Sequence, residues 1–402
     1  MVNIAVLGYG TVGSGVVYVL ENNEKSIKEK AGELIYVKHV LDLRDFPDDE
    51  IQKRIVHDYD IILKDDEIKV VVEVMGGVEP AFTFVKEAML RGKSVVTSNK
   101  ALVAAKGSEL MRIARDNDVN FLFEASVGGG IPVIRPLTVS YTADVILKVR
   151  GILNGTTNYM LTRMKDAGIT YGEALAEAQS KGYAEADPSA DVLGYDTCRK
   201  TAILGSLSYG NFIDYEDIYT EGIDDVTDVD FEYAKELGTS IKLLGISQRT
   251  DEGIAAMVSP FMISETDPLY PVSDVFNAIM ITGNMVGDTM CFGRGAGKEP
   301  TASAVVADVV EAVRNEGRFI SPWWDDRPEE LLDPKELEHR FFVRVKAGEA
   351  ESWLEAFPGS RVVQLAAHED EFALVTNSLK EMDFDRQISG LNGIISYIRC
   401  DF

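Results

Sequence analysis

Short apolar runs separated by amphipathic stretches organise the first third of the chain. Residues 4–7 form an apolar run of the kind a buried parallel strand presents, and an apolar helical stretch over 16–20 follows. The same rhythm predicts strands over 35–41, 70–74, 94–97 and 120–124, with helices over 79–91 and 102–117. Alternating strands and helices give a parallel, doubly wound sheet of the Rossmann type. Such sheets bind ligands at the carboxyl ends of their strands.

The pattern then changes. A strand is expected over 146–153, and the polar turn Asn154-Gly155-Thr156-Thr157-Asn158 leads into a helix near Tyr159. Those small polar residues either line a pocket or cap that helix. Asp187-Pro188 reads as a helix N-cap followed by proline at the first helical position, with the helix running through Lys200 toward Leu207. A helix over 301–314 returns the chain to the first domain, and 321–339, rich in charge and proline, reads as a linker. Last come a strand (341–345), a helix (351–357), a strand pair (362–376), a helix (379–387) and a strand (394–400). This βαββαβ order is ferredoxin-like.

Where the first strand meets its helix stands Gly8-Tyr9-Gly10-Thr11-Val12-Gly13. The first glycine permits the tight turn, the second lets the backbone approach a pyrophosphate, and the third lets helix and strand pack closely. A merely tight turn is the competing explanation. The second strand ends in Asp42, with Arg44 just beyond. An acidic residue there binds the ribose 2′-hydroxyl of NAD, and an arginine accommodates the 2′-phosphate of NADP. Both are present, so the pattern leaves the cofactor open. Gly76-Gly77 and Ser98-Asn99-Lys100 fall at further strand ends. Lys100 is a candidate to face cofactor or substrate, or else an exposed lysine starting a helix. After Glu124, the run Ala125 to Pro132 carries three successive glycines, Gly128, Gly129 and Gly130. It is either a tightly turned binding loop or an interdomain hinge.

Length and composition narrow the class. A chain of 402 residues implies two or three domains, and 46% hydrophobic with 26% charged residues is globular composition. A formal charge of -26 argues against nucleic acid and anionic membrane partners, although backbone amides can still bind a phosphorylated cofactor locally. Cys198, Cys291 and Cys400 are odd in number and far apart, which suggests a reducing compartment and packing roles. His39, His57, His339 and His368 have no metal-ligand spacing. No membrane span is expected, and the apolar N-terminus, lacking a basic region, reads as mature structure in the cytoplasm.

The stretch GYAEADPSADVLGYDTCRK, residues 182–200, gathers Glu185, Asp187, Asp191 and Asp196 before Lys200. On one continuous helix Asp196 and Lys200 share a face and Asp191 lies nearly opposite Lys200, in a first turn where it suits the helix dipole. Exposed, the Asp196–Lys200 pair would be worth about 0.3–0.5 kcal/mol. The apolar flanks (Val192, Leu193, Ala202, Ile203, Leu204) instead predict burial. A buried lysine must be paired or neutral, and either condition suits proton transfer. Beside a nicotinamide, such a lysine could exchange the hydroxyl proton of a carbinol while carboxylates hold an ammonium group. That points to an amino-acid alcohol or aldehyde.

The blocks GYGTVGSG, TSNK, FEASVGGGIPVIRPL, GILNGTTNYML, GYAEADPSADVLGYDTCRK and GRGAGKEPTASAVVADVV together resemble homoserine dehydrogenases, in family order over roughly the first 315 residues. The resemblance implies reversible NAD(P)-dependent reduction of aspartate 4-semialdehyde to homoserine in threonine and methionine biosynthesis. By motif, Lys200 is similar to the catalytic proton donor and acceptor, and Lys100 to the other essential lysine. Glu185 and Asp196 resemble the substrate-holding residues, with Asp191 a further candidate. Gly8, Gly10, Thr11, Val12 and Gly13 match the cofactor loop, and Gly76, Gly182 and Gly297 match further cofactor-proximal positions. The family also binds a structural Na+ through a loop matching Glu124, Val127, Gly129 and Ile131, chiefly by main-chain carbonyls.

The implied division is a cofactor domain over 1–130 completed by 301–320, and an α+β catalytic and dimerisation domain over 131–300. A linker over 321–339 and an ACT-like domain over 340–402 follow. A homodimer or homotetramer is expected. The tail is similar to amino-acid-sensing ACT domains, but it is short, and Lys346-Ala347-Gly348 lacks their Asp-x-x-Gly pattern. It is either an effector site, with threonine a candidate ligand, or a dimerisation module. The rival activities are an NAD(P)-dependent amino-acid dehydrogenase of another specificity and a cofactor-binding regulator.

Overall fold

The computed structural model describes all 402 residues. They fall into two compact units, one of 1–146, 202–216 and 281–329, the other of 147–201, 217–280 and 330–402. No helix is long and apolar enough to cross a membrane.

The first unit is built on six strands: β1 (Val2–Leu7), β2 (Ile35–Leu41), β3 (Ile55–Val56), β4 (Ile68–Glu73), β5 (Ser94–Thr97) and β6 (Phe121–Leu122). They lie in the order β3-β2-β1-β4-β5-β6, all parallel. This is the doubly wound sheet that the apolar runs predict. The middles of its central strands are apolar because both faces are covered: Ile4, Val6, Val72 and Val96 pack in one core with Val16, Val305 and Val309 from helices. Fully burying each such side chain contributes about 1.5–3 kcal/mol. The helices Thr11–Asn22 and Lys298–Arg314 meet at Gly15, where an added Cβ would lie 2.8 Å from the Lys298 carbonyl oxygen.

The proline- and charge-rich stretch that composition reads as a linker is partly ordered into elements. Asp325–Pro328 pairs with Asn211–Phe212, and buried Trp324 sits in the space that Gly107 leaves by having no side chain. Composition reports the charge of such a stretch but not the slot that receives the second of its two tryptophans.

The second unit carries a mixed sheet. Its main strands are β7 (Ile146–Ile152), β8 (Thr239–Arg249), β9 (Ile254–Ser264), β10 (Phe276–Gly283), β11 (Glu338–Lys346), β12 (Arg361–Val363), β13 (Glu371–Val375) and β14 (Ile394–Asp401). Their order is β10-β7-β8-β9-β14-β11-β13-β12. β8 and β9 pair over all eleven residues of each. The C-terminal βαββαβ pattern is present, with helices Ala350–Ala356 and Glu381–Ile388 and an aromatic core of Phe341, Trp353, Phe357 and Phe384. Its four strands are antiparallel in the order β14-β11-β13-β12, while β14 also pairs in parallel with β9. The C-terminal module therefore continues the sheet of its unit. Two buried arginines stitch this seam. Arg399 donates to Glu381 and Glu221, and Arg344 to Glu371 and Asp230. Buried cations are held only where carboxylates repay their desolvation.

One expected element divides in two. Instead of a single helix from Asp187 to Leu207, the chain forms Ser189–Val192, breaks, and restarts as Tyr195–Tyr209. Gly194 stands at the break with φ +83°, a left-handed conformation that a glycine adopts without strain. Pro188 occupies the cap position rather than the first helical one, and Asp187 Oδ1 accepts from the Ser189 N–H at 3.1 Å and its hydroxyl at 2.5 Å. Helical-wheel arithmetic from Asp191 to Lys200 does not survive this break.

Candidate active site

The cofactor half begins where β1 ends. Gly8 turns the chain at φ +98°, and a Cβ on Gly13 would lie 1.9 Å from the Gly8 carbonyl oxygen. The first and third glycines of the motif thus pack on each other. Gly10 is exposed, and a Cβ built on it meets nothing within 4 Å. It precedes Thr11 and Val12 at the start of a twelve-residue helix whose first turn carries no acidic residue. The turn offers unblocked backbone N–H groups and the positive end of the dipole, which suits a pyrophosphate.

At the end of β2, Asp42 and Arg44 are partners rather than alternatives. The Asp42 carboxylate accepts from the Tyr9 N–H at 2.8 Å, the Arg44 N–H at 2.9 Å, Arg44 Nε at 2.9 Å and Nη2 at 3.0 Å. The guanidinium beside it holds the Asp42 carboxyl well below the usual carboxylate range. The Asp42 side chain is 9% exposed and that of Arg44 62%, so the group presented to solvent is the cation.

After β4, Gly76 and Gly77 turn with φ +88° and +74°. Buried Glu73 accepts from the Met75 N–H at 2.8 Å and the Thr97 hydroxyl at 2.6 Å, and burial raises its pKa. Asn99 caps the Lys100–Asp116 helix at the Leu102 N–H and donates to the Gly77 carbonyl at 2.6 Å. Lys100 is the half-buried first residue of that helix. Glu73 escaped the sequence reading; its signal was a carboxylate ending the apolar run of β4. Gly297, exposed at φ +123°, precedes the helix Lys298–Arg314.

The loop after β6 is tightly turned. The Glu124 carboxylate accepts the N–H groups of Val133, Ile134 and Arg135 at 2.6, 2.8 and 2.8 Å. Asp308 accepts from the Glu124 N–H at 2.8 Å and from Arg135 at 2.5 Å, and burial pushes its carboxyl up to about 7. Val127, Gly129 and Ile131 are buried. Gly129 adopts φ +57°, and a Cβ there would lie 2.2 Å from the Gly295 carbonyl oxygen. No group of three acidic, histidine or cysteine side chains is placed to hold a metal. Any cation bound here would use the backbone.

In the second unit, Lys200 and Asp196 are 7% and 3% exposed, and Lys200 Nζ lies 2.8 Å from Asp196 Oδ2. Lys200 also donates to the Leu153 carbonyl at 2.7 Å, just past the end of β7. The next residue, Asn154, caps the helix Gly155–Ala167 through the Thr157 N–H at 2.9 Å. Its amide donates to Asp191 Oδ1 at 2.7 Å and Asp196 Oδ2 at 2.9 Å. Asp191 is thus drawn to the same amide as Asp196 instead of pointing away from Lys200, because the break at Gly194 reorients it. Glu185 stands outside these hydrogen bonds; it is exposed, with its carbonyl accepting from Gln179. Gly182 is exposed at φ +73°, and Thr156 donates to the neighbouring Tyr183 carbonyl at 2.7 Å. Cys198 is buried, and burial pushes the Cys400 thiol up to about 12.

Two family profiles match the chain: one described as homoserine dehydrogenase over 132–310, and one as the homoserine dehydrogenase NAD-binding domain over 8–124. A Bacillus subtilis homoserine dehydrogenase is 36% identical, with 98% of this chain and 95% of the relative covered. The crystal structure of a homoserine dehydrogenase from Thiobacillus denitrificans superposes with a TM-score of 0.91 at 34% identity, covering 100% of this chain and 98% of that one. A hyperthermophilic archaeal homoserine dehydrogenase in complex with NADPH matches at 27% identity with a TM-score of 0.65, over 77% of this chain and 97% of that one.

Proposed function

The chain belongs to the homoserine dehydrogenase family, and from that premise we propose that Lys200 moves the proton while Asp196, Asp191 and Glu185 hold the substrate's amino-alcohol end. The activity is the reversible NAD(P)-dependent reduction of L-aspartate 4-semialdehyde to L-homoserine, an oxidoreduction at a CH–OH group in threonine and methionine biosynthesis. When bound, the nicotinamide accepts or supplies the hydride. In the oxidising direction Lys200 takes the hydroxyl proton of homoserine. In the reducing direction its ammonium stabilises charge developing on the aldehyde oxygen and then protonates it. Carboxylates suit the substrate ammonium. Lys100, the first residue of the helix after β5, is read by family resemblance as the other essential lysine.

The observation that carries this reading is the burial of the Lys200–Asp196 pair. Exposed, it would be a minor contribution; buried, its desolvation offsets the attraction, so stability alone is a poor reason to keep it. Homoserine-dependent reduction of NADP+ by the protein and by Lys200→Ala tests it. Ammonia-dependent oxidation of NADPH would instead favour an amine-oxidising dehydrogenase.

The cofactor reading is NADP(H), through Gly8, Gly10, Thr11, Val12, Gly13, Gly76, Gly182 and Gly297. The exposed Arg44, backed by Asp42, supports it over NAD, as does the NADPH bound by the archaeal relative. For Na+, the buried main-chain carbonyls of Val127, Gly129 and Ile131 are oxygen ligands of the kind that suits a hard cation, with the Glu124 carbonyl as a fourth ligand. The Glu124 carboxylate itself is occupied by three N–H groups. The protein is read as a cytoplasmic homo-oligomer; the alternately exposed Met290 and Phe292 on the strand Gly287–Arg294 fit a second copy. The C-terminal βαββαβ module is read as ACT-like, with an end-product amino acid such as threonine as effector. Unchanged activity and no calorimetric heat across a wide threonine range would sink that effector.

A further inference from the structure

We infer that Asn154 is a positioning residue: its amide holds Asp191 and Asp196 as one fixed pair and sets how tightly Asp196 grips Lys200. This rests on the assignment of Lys200 and Asp196 made above.

A side-chain carboxamide has two N–H donors and one acceptor oxygen. In Asn154, which is 5% exposed, all three are committed: one N–H to Asp191 at 2.7 Å, one to Asp196 at 2.9 Å, and Oδ1 to the Thr157 N–H at 2.9 Å. Two carboxylates drawn to one point repel each other, and only donors between them hold the arrangement. Asp191 lies on the helix Ser189–Val192 and Asp196 on the helix Tyr195–Tyr209, with the left-handed Gly194 between. Asn154, two residues past the end of β7, joins the two helices through its amide. Its neighbour Leu153 supplies the carbonyl that Lys200 donates to, so two adjacent residues locate both members of the pair.

The sharing of Asp196 Oδ2 has an electrostatic consequence. That oxygen accepts from Asn154 and pairs with Lys200 at 2.8 Å. A carboxylate stabilised by an amide donor is less basic toward a neighbouring ammonium. Without the amide, Asp196 holds the Lys200 proton more tightly, and a base needed for homoserine oxidation becomes available only at higher pH. The titratable groups joined by these bonds are Asp196, on the same helix as Lys200, and, through Asn154, Asp191.

Asn154 also has a plain structural task as helix cap, and the test must separate the two. Asp and Ser both cap helices about as well as Asn, but neither offers the two amide donors. Asn154→Asp and Asn154→Ser are therefore assayed beside Lys200→Ala for kcat, for KM of homoserine and NADP+, for the pH profile of kcat and for melting temperature. Asn154→Asp is expected to lose about 10²-fold in kcat, on the scale of a misplaced catalytic group. Its NADP+ KM should stay near wild type, and the rising limb of its kcat profile for homoserine oxidation should move to higher pH. Asn154→Ser should show the same shift with a smaller loss, and it decides the matter if Asn154→Asp fails to fold. Wild-type kcat and pH profile in both variants, with Lys200→Ala inactive, would reduce Asn154 to a cap and overturn the inference alone. Wild-type kcat in Lys200→Ala would overturn the assignment beneath it as well.

Discussion

Arg44 donates to both oxygens of Asp42, Nε to Oδ1 at 2.9 Å and Nη2 to Oδ2 at 3.0 Å. An acidic and a basic residue that compete for the same role in a sequence motif are here one bidentate unit. The aspartate is largely buried and the arginine exposed. The surface at the end of β2 is cationic, which suits a 2′-phosphate. Removing the guanidinium by Arg44→Ala should lower kcat/KM for NADP+ by about 10- to 100-fold, the worth of hydrogen bonds to a charged group. The value for NAD+ should change little. Steady-state kinetics with the two cofactors side by side measure this; equal losses for both would remove Arg44 from the 2′ site.

The carbonyls of Val127, Gly129 and Ile131 lead to an ion prediction. At fixed ionic strength, Na+ should raise the melting temperature relative to tetramethylammonium, because a bound ion stabilises only the folded state. Gly129→Ala should abolish the difference, since its Cβ would sit 2.2 Å from the Gly295 carbonyl oxygen. Identical melting in the two salts would contradict a sodium site.

Lys242 predicts a pH dependence of stability. It is 3% exposed and donates to the Val272 carbonyl, and burial lowers its pKa to about 7. In the unfolded chain it titrates near the ordinary 10.5. Between these values the unfolded state holds a proton that the folded state has released, so this group makes stability rise with pH through that window. Below pH 7 the penalty for the buried charge is fully present. Urea unfolding at pH 7 and pH 9 should show wild type gaining ~2 kcal/mol more than Lys242→Met over that interval. Parallel curves for the two proteins would contradict this.

Arg399 is 1% exposed and donates to Glu381 at 2.8 and 2.6 Å, which ties the helix Glu381–Ile388 to β14 within the C-terminal module. Glu381→Gln should cost about 3–5 kcal/mol in chemical unfolding, because it leaves a buried cation short of a partner. A loss within experimental error would show that helix to be held on β14 by packing alone.

Much of this was legible beforehand. Runs such as 4–7 and 70–72 predict the parallel sheet because strands buried on both faces are near-continuously apolar. The glycine motif announced itself because Gly8 and Gly13 answer to backbone geometry, which sequence carries directly. The helix after Asp187 was misjudged because Gly194 reads equally as a tolerated glycine or a break, and long-range packing decides. Asp191 consequently pointed the wrong way on paper. Asn154 showed its capping oxygen but not its two donors, because their acceptors lie 37 and 42 residues away. The carbonyls of Val127, Gly129 and Ile131 are backbone atoms, so no side-chain spacing could reveal them. The parallel pairing of β14 with β9 joins residues more than a hundred positions apart and leaves no local trace.

The most direct test of the central claim is homoserine-dependent reduction of NADP+, followed by nicotinamide absorbance, for the protein and Lys200→Ala under the same conditions. Turnover by the protein, with kcat reduced by about 10²–10⁴-fold in the variant and NADP+ binding retained, is the result expected of a general acid–base group. Comparable turnover by both, or equal loss of NADP+ binding and turnover in the variant, would contradict the assignment of proton transfer to Lys200.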